Sequence, residues 1–386
     1  MEQPRPKAPA SQPRQVPDGP RAAQGPAAGP PTIVAVLTAH NEEFRLPAVI
    51  ASVKAQHRPV SRIIVIADRC TDRTADIARR HGCHVIETVG NKNLKAGALN
   101  QVLPELLDTL GEADLLLLMD ADSTICPEFT TVALHYLHTR PGTGAIGGVF
   151  YGQKGAGLLG ALQRNEYARY AREVARRKAR ATVLTGTASI FRACVLREVA
   201  AARGTRLPGP PGCVYDPGAL TEDNEITLAI KRLGWGTLSP CSCTVVTEIM
   251  PTWKDFVRQR LRWQRGALEN LRTYGMTGIT LPYVAKQCAM YFGILAVSLM
   301  LFTSALFAYL GLYTAPRGWL WIPLAIFIAE RIWTVRRQGI AAMLLAAPLV
   351  FEFAYDGVQQ WVYLRAATDI MRRKNHQWHH LTGEEK

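Results

Sequence analysis

Asp120 and Asp122 close the apolar run LLLLMDADS with one alanine between them. Two carboxylates this close are costly to bury unless a positive charge sits near them. Residues i and i+2 share a face in a strand or fan around a cation in a turn. A hard divalent ion such as Mg²⁺ or Mn²⁺ takes such oxygens and leaves room for phosphate oxygens. The competing reading is a strand-to-helix cap in which Asp122 bonds backbone amides.

Other polar positions recur where strands end and helices begin. VIADRCTDRT places Asp68 after a second apolar run and Asp72 near a helix start. NKNLKAGALN places Lys95 and Gly97 at another helix start, where a phosphate is favoured. LTEDNE offers Glu222 and Asp223 at a helix N-terminus, where the dipole favours acids. In QRLRW, Gln259 and Trp263 fall one turn apart on one helical face, with Arg262 beside them.

The elements that must position these residues follow from periodicity. TIVAVLTA, RIIVIAD, HVIETV and DLLLLMD read as strands, with helical patterns over 42–56, 72–81 and 94–109. The alternation predicts an α/β unit with a mainly parallel sheet. Ligands in such sheets bind at the carboxyl ends of strands, where Asn41, Asp68 and Asp120 fall. A long basic helix is expected over 156–180. A Pro/Gly-rich loop covers 207–218, and a basic, Trp-bearing amphipathic helix suited to a membrane interface covers 251–271.

The chain has 386 residues and a net charge of +14. That balance suits an anionic substrate, anionic lipid or nucleic acid. No nucleic-acid motif is present, so the basic 162–180 stretch reads as a solvated or headgroup-facing surface. The eight cysteines form no CxxC pair and read as reduced thiols. His376, His379 and His380 lie beside Trp378 in the tail and read as a wet interface. Cys288 to Leu312 carries no charge and is long enough to span a ~30 Å hydrocarbon core.

On these residues the chain resembles family 2 glycosyltransferases with the GT-A fold, of the membrane-integrated type that includes cellulose, chitin, hyaluronan and poly-N-acetylglucosamine synthases. The motifs stand here as Asn41-Glu42-Glu43, Asp68, Lys95 to Asn100, Asp120-Ala121-Asp122, Thr221-Glu222-Asp223 and Gln259 to Trp263. The resemblance covers about 32–275. It implies a Rossmann-like nucleotide-diphospho-sugar transferase domain followed by an interfacial amphipathic helix and C-terminal transmembrane helices. It implies a UDP-sugar donor held by Ala39, Asn41, Glu42, Asp68, Lys95 and Asp120, and a Mg²⁺ or Mn²⁺ ion on Asp122 with Asp120. Asp223 is the implied general base. Glu222, Gln259, Arg260, Arg262 and Trp263 are implied to face the acceptor and diphosphate.

The expected organisation is a disordered tail over 1–31, a GT-A domain over 32–250 and interfacial helices over 251–279. A membrane region over 280–366 follows, with spans near 285–312, 318–335 and 340–364; Pro348, Glu352 and Asp356 make the last re-entrant, interfacial or broken. A basic cytoplasmic tail covers 367–386. The expected setting is the plasma membrane, multi-pass, with the catalytic domain cytoplasmic. With fewer C-terminal segments than the large synthases, the chain is expected either to need an oligomer or an accessory subunit for a channel, or to make a short or lipid-linked product. Three functions remain open: N-acetylglucosamine transfer to a growing polysaccharide, addition of one sugar to a lipid-linked polyprenyl phosphate, and a non-catalytic sugar-nucleotide-binding membrane scaffold.

Overall fold

Strands with apolar residues at every position must be covered on both faces. In the computed structural model, which describes residues 31–312 and 318–372, β1 (Ile33–Ala39), β2 (Arg62–Ala67) and β4 (Leu115–Asp120) are almost wholly buried. With β3 (His84–Glu87) they form a parallel block. Its connections run through α1 (Leu46–Lys54), α2 (Thr74–Arg80) and α3 (Leu94–Asp108).

The next elements are β5 (Thr124–Ile125), α4 (Phe129–Thr139), β6 (Thr143–Gly147), β7 (Val149–Gly152) and α5 (Gly157–Arg176). Then follow β8 (Ala188–Arg192), α6 (Ala193–Ala202), α7 (Glu222–Arg232), β9 (Gly236–Leu238) and β10 (Thr244–Thr247). The main sheet has the order β3-β2-β1-β4-β8-β6-β9. Strand β8 runs antiparallel to both neighbours, the one departure from a parallel sheet. A small second sheet has the order β5-β10-β7.

Alternate residues of β1 feed two cores. Val34 and Val36 pack with α3, α6 and α7, while Ile33, Ala35 and Leu37 pack with α1 and α4. The site elements are thereby clamped between helical layers. The register places Thr38 beside Asp120 and Ala39 beside Ala67, so the ends of β1, β2 and β4 lie side by side.

Helix α8 (Trp253–Tyr274) starts at Thr252, whose hydroxyl caps Asp255 N–H at 3.2 Å. Then come α9 (Leu281–Tyr309), α10 (Ile322–Val335), α11 (Ile340–Ala346) and α12 (Val350–Met371). Among the described residues, only α9 is by itself long and apolar enough to cross a membrane, with a mean hydropathy of 2.0 over its best window. Its 29 residues reach ~44 Å. The expected span at 318–335 contains α10, whose 14 residues are by themselves too few for ~30 Å of hydrocarbon and include Glu330 and Arg331. The third expected segment is a helix pair bent by 71°. The break falls at Pro348 and Leu349, the latter at φ 59°. All eight cysteines are free, as expected. The tail over 1–30 and the basic tail beyond Arg372, with its histidines, lie outside the described residues.

Candidate active site

The β1 and β2 ends form one pole of the site. Asn41 adopts φ 55°, a left-handed conformation that asparagine tolerates. Its Oδ1 accepts from Thr71 N–H at 2.8 Å, tying the loop after β1 to the loop after β2. Asp72 strengthens that tie by accepting from Glu43 N–H (3.0 Å) and Thr74 N–H (2.9 Å).

Asp68 Oδ1 accepts from the Thr88 hydroxyl at 2.7 Å and from Asn91 Nδ2 at 2.9 Å. His40 Nδ1 lies 2.6 Å from the Asp68 carbonyl oxygen, so the proton sits on Nδ1. Thr88, Asn91 and His40 are positioning residues that the motif pattern does not single out. Asn91 leaves no room for a side chain at Gly97, where a Cβ would fall 2.1 Å from its Oδ1.

At the β4 end, Lys95 Nζ donates to Asp120 Oδ1 at 2.5 Å and to the Gly186 carbonyl at 3.0 Å, with Glu222 Oε1 at 3.4 Å. Burial opposes the lysine charge, but Asp120 and Glu222 outweigh it and its pKa is raised. Asp120 is pushed up to about 6 by burial, with Lys95 pulling back.

Asp122 accepts from the Ser123 hydroxyl at 2.6 Å and forms no ion pair among the described residues. Burial raises its pKa, and Glu248 adds to that. Glu42 is pushed up to about 7 by burial and by Asp122. A carboxylate pushed this way by surrounding acids fits a hard cation. No set of three or more His, Cys, Asp or Glu side chains is placed to hold a metal among the described residues. The carboxylates that could hold a Mg²⁺ or Mn²⁺ ion here are Asp122 and Asp120, the latter already bonded to Lys95.

Helix α7 begins at Glu222 after the extended Thr221. Asp223 Oδ2 accepts from Gly186 N–H at 3.3 Å and Oδ1 from Asn224 N–H at 2.7 Å. Burial, then the neighbouring Glu222, push Asp223 up to about 6. The Pro/Gly-rich loop is fastened beside α7 by two residues. Buried Arg203 donates to Pro208 O and Val214 O at 2.8 Å each and pairs with Glu225. Asn100 accepts from Val214 and Tyr215 N–H at 3.1 and 3.0 Å.

A cavity of about 470 Å³ joins these parts to α8. Asp120, Asp122, Asp223, Gln259, Arg262 and Trp263 all line it, whereas Asn41 and Asp68 lie outside its wall. Arg260 also reaches the wall, but its charge is held by Glu166 at 2.8 Å, and its guanidinium lies 4.4 Å from the Trp263 ring centre. Gln259 Oε1 is buried with no hydrogen-bond partner among the described residues.

A three-layer α/β domain of this strand order, with an acidic pair at the β4 end, defines a GT-A glycosyltransferase. The family model "Glycosyltransferase like family 2" matches residues 30–266, and the chain belongs to that family. It is 27% identical over 261 residues to the probable glycosyltransferase YdaM of Bacillus subtilis, covering 61% of this chain and 55% of that protein. It is 23% identical over 247 residues to a poly-β-1,6-N-acetyl-D-glucosamine synthase of Staphylococcus epidermidis, covering 61% and 54%. The chain spans about half the length of these relatives. A mannosyltransferase of Pyrobaculum calidifontis, solved with GDP-Man and Mn²⁺, superposes with a TM-score of 0.57 at 17% identity, covering 89% of this chain and 88% of that one. That likeness is one of fold.

Proposed function

We propose that the protein is a membrane-anchored, metal-dependent, inverting glycosyltransferase that moves a sugar from a UDP-sugar to a growing polysaccharide. N-acetylglucosamine is the leading donor sugar, a choice supported by the likeness to the staphylococcal poly-β-1,6-N-acetyl-D-glucosamine synthase. The observation that carries the reading is the shared cavity: a carboxylate that can act as base, two carboxylates suited to a cation and a tryptophan platform all face one space.

Asp68, Asn41 and the Ala39 backbone hold the nucleoside, with the Asp68 carboxylate accepting from the base edge. Asp120 and Asp122 hold the divalent ion. When bound, that ion stabilises charge on the departing diphosphate. Lys95 adds positive charge beside it. The acceptor ring rests on Trp263, and Arg262 and Gln259 orient it. Asp223 takes the proton of the acceptor hydroxyl as that oxygen attacks the anomeric carbon. The bond from that carbon to the diphosphate oxygen breaks, its electron pair leaves with UDP, and the configuration inverts. General-base help of this kind contributes ~10²–10⁴ in rate. Helix α9 holds the domain at the bilayer.

The test is UDP release by the detergent-purified chain across a panel of UDP-sugars, with Mg²⁺, Mn²⁺ or chelator, beside Asp223→Asn. Turnover of one donor that needs metal and is lost in Asp223→Asn is the expected result. Product length then separates the two transferase readings: a ladder supports polymer synthesis, and one addition to a polyprenyl phosphate replaces it. UDP binding without turnover of any donor, and a biological role untouched by Asp223→Asn, would leave a non-catalytic scaffold.

A further inference from the structure

The cavity has a wall that none of the family motifs supplies. It comes from β7 and α5 and carries Phe150, Glu166, Tyr167 and Tyr170. The Phe150 and Tyr170 rings stack with centroids 5.0 Å apart and planes 27° apart. Tyr167 meets Phe150 edge-on at 4.7 Å. This aromatic row connects to Trp263 through Arg260, whose guanidinium lies 5.6 Å from the Tyr167 ring centre.

Glu166 sits at the same wall. Its Oε2 accepts from Arg260 at 2.8 Å and from the Tyr355 hydroxyl. Its Oε1 has no hydrogen bond among the described residues, and the side chain is 30% exposed. It is a fixed, ionisable acceptor with one oxygen left for a ligand.

The chemistry of this wall narrows the ligand class. The carboxylates of the wider lining are largely paired: Asp120 and Glu222 with Lys95, at 2.5 and 3.4 Å, and Glu248 with Arg45 at 2.5 Å. Glu166 keeps one oxygen open beside the aromatic row. A neutral pyranose fits such a wall: its C–H face stacks on an aromatic ring, and its hydroxyls donate to carboxylate oxygens.

We propose that the Phe150–Tyr170 stack and Glu166 form a second carbohydrate subsite, which holds the unit behind the sugar being extended in a neutral oligosaccharide acceptor. The inference rests on the transferase reading for its biological meaning, but the subsite is a binding claim that can be tested without turnover.

The experiment measures binding to the full chain in detergent by calorimetry. The probes are N-acetylglucosamine, glucose and their β-linked dimers and tetramers, with farnesyl phosphate as the anionic lipid arm. For one sugar series the dimer is expected to bind about tenfold more tightly than the monomer, the ~1.4 kcal/mol that one aromatic face contributes. Tyr170→Ser abolishes that gain and leaves monomer affinity and Mn²⁺–UDP binding unchanged, the latter reporting that the fold is intact. Phe150→Leu, which keeps apolar volume, serves as the second variant and gives the same loss. Equal affinity for monomer and dimer in every series, an undiminished gain in both variants, or tighter binding of farnesyl phosphate than of any saccharide each overturns the proposal. UDP release with and without Asp223→Asn tests the transferase reading separately, so either claim can fail alone.

Discussion

Asp223 shows how far a single residue can be argued. An ordinary aspartate is a poor base at neutral pH because its conjugate acid is strong. Here burial and then the Glu222 carboxylate push Asp223 from 3.8 to about 6, with Lys95 pulling the other way. The proton acceptor must be ionised, so kcat/KM is expected to fall about tenfold per unit below pH ~6 and to level off above it. Glu222→Gln removes a raising charge, so the acid limb moves to lower pH. A pH profile of UDP release on both proteins checks this, and a limb that stays put in Glu222→Gln would assign it to another group. The sequence made Asp223 and Asp68 legible because each sits in a short motif at an element boundary. It did not reveal the partners of Asp68, since Thr88 and Asn91 lie 20 and 23 residues further on. Nor could the spacing of LLLLMDADS reveal that Lys95 reaches Asp120 from α3.

Among the elements, α8 bears most directly on catalysis. Its amphipathic pattern and QRLRW face were readable from periodicity, and Gln259 and Trp263 do face one cavity. What periodicity could not give is the contact of α8 with the start of α7. Gly266 packs so tightly on Thr221 that a Cβ there would lie 2.4 Å from Oγ1 and 2.6 Å from Cγ2. One turn on, Asn270 Nδ2 donates to the Thr221 carbonyl (3.2 Å) and to Asn224 Oδ1 (3.1 Å). These two residues fix the approach to Glu222 and Asp223. Gly266→Ala must push Thr221 aside, an overpacking worth ~1–3 kcal/mol. A base displaced by a fraction of an ångström loses geometry that can be worth ~10² in rate. The expected result is a large fall in kcat with UDP affinity retained, read from steady-state kinetics beside UDP calorimetry. Equal losses in both would show general unfolding instead. The sheet follows the same division: the apolar runs of β1, β2 and β4 predicted strands, whereas the reversal of β8 depends on partners distant in sequence.

At the scale of the whole molecule, the segment over 340–364 was hardest to place because it combines apolar residues with Glu352 and Asp356. The structure resolves the conflict through long-range pairing. Glu352 is 2% exposed and pairs with Arg169 of α5 and, at 3.3 Å, with Arg331 of α10. Arg331 also bonds Asp356 at 3.0 Å. The hydroxyl of Tyr355 reaches Glu166 in the same region. The bent α11–α12 pair is therefore fastened to the catalytic domain and helps hold the wall that carries Glu166 and Tyr170. Breaking such a buried network by removing one partner leaves uncompensated charge, at a typical cost of ~3–5 kcal/mol. Glu352→Ala strands the Arg169 guanidinium and takes one of two partners from Arg331, so it is expected to lower the unfolding temperature of the detergent-purified chain more than Asp356→Ala, whose side chain is 33% exposed. Coupling distinguishes this account from simple loss of packing. With Arg169→Met already present, Glu352→Ala should cost less than it does alone, because the stranded charge is gone. Strictly additive losses in that double-mutant cycle would mean that the Arg169–Glu352 pair contributes nothing to the docking, and that α12 is held to the catalytic domain by its apolar contacts with α8.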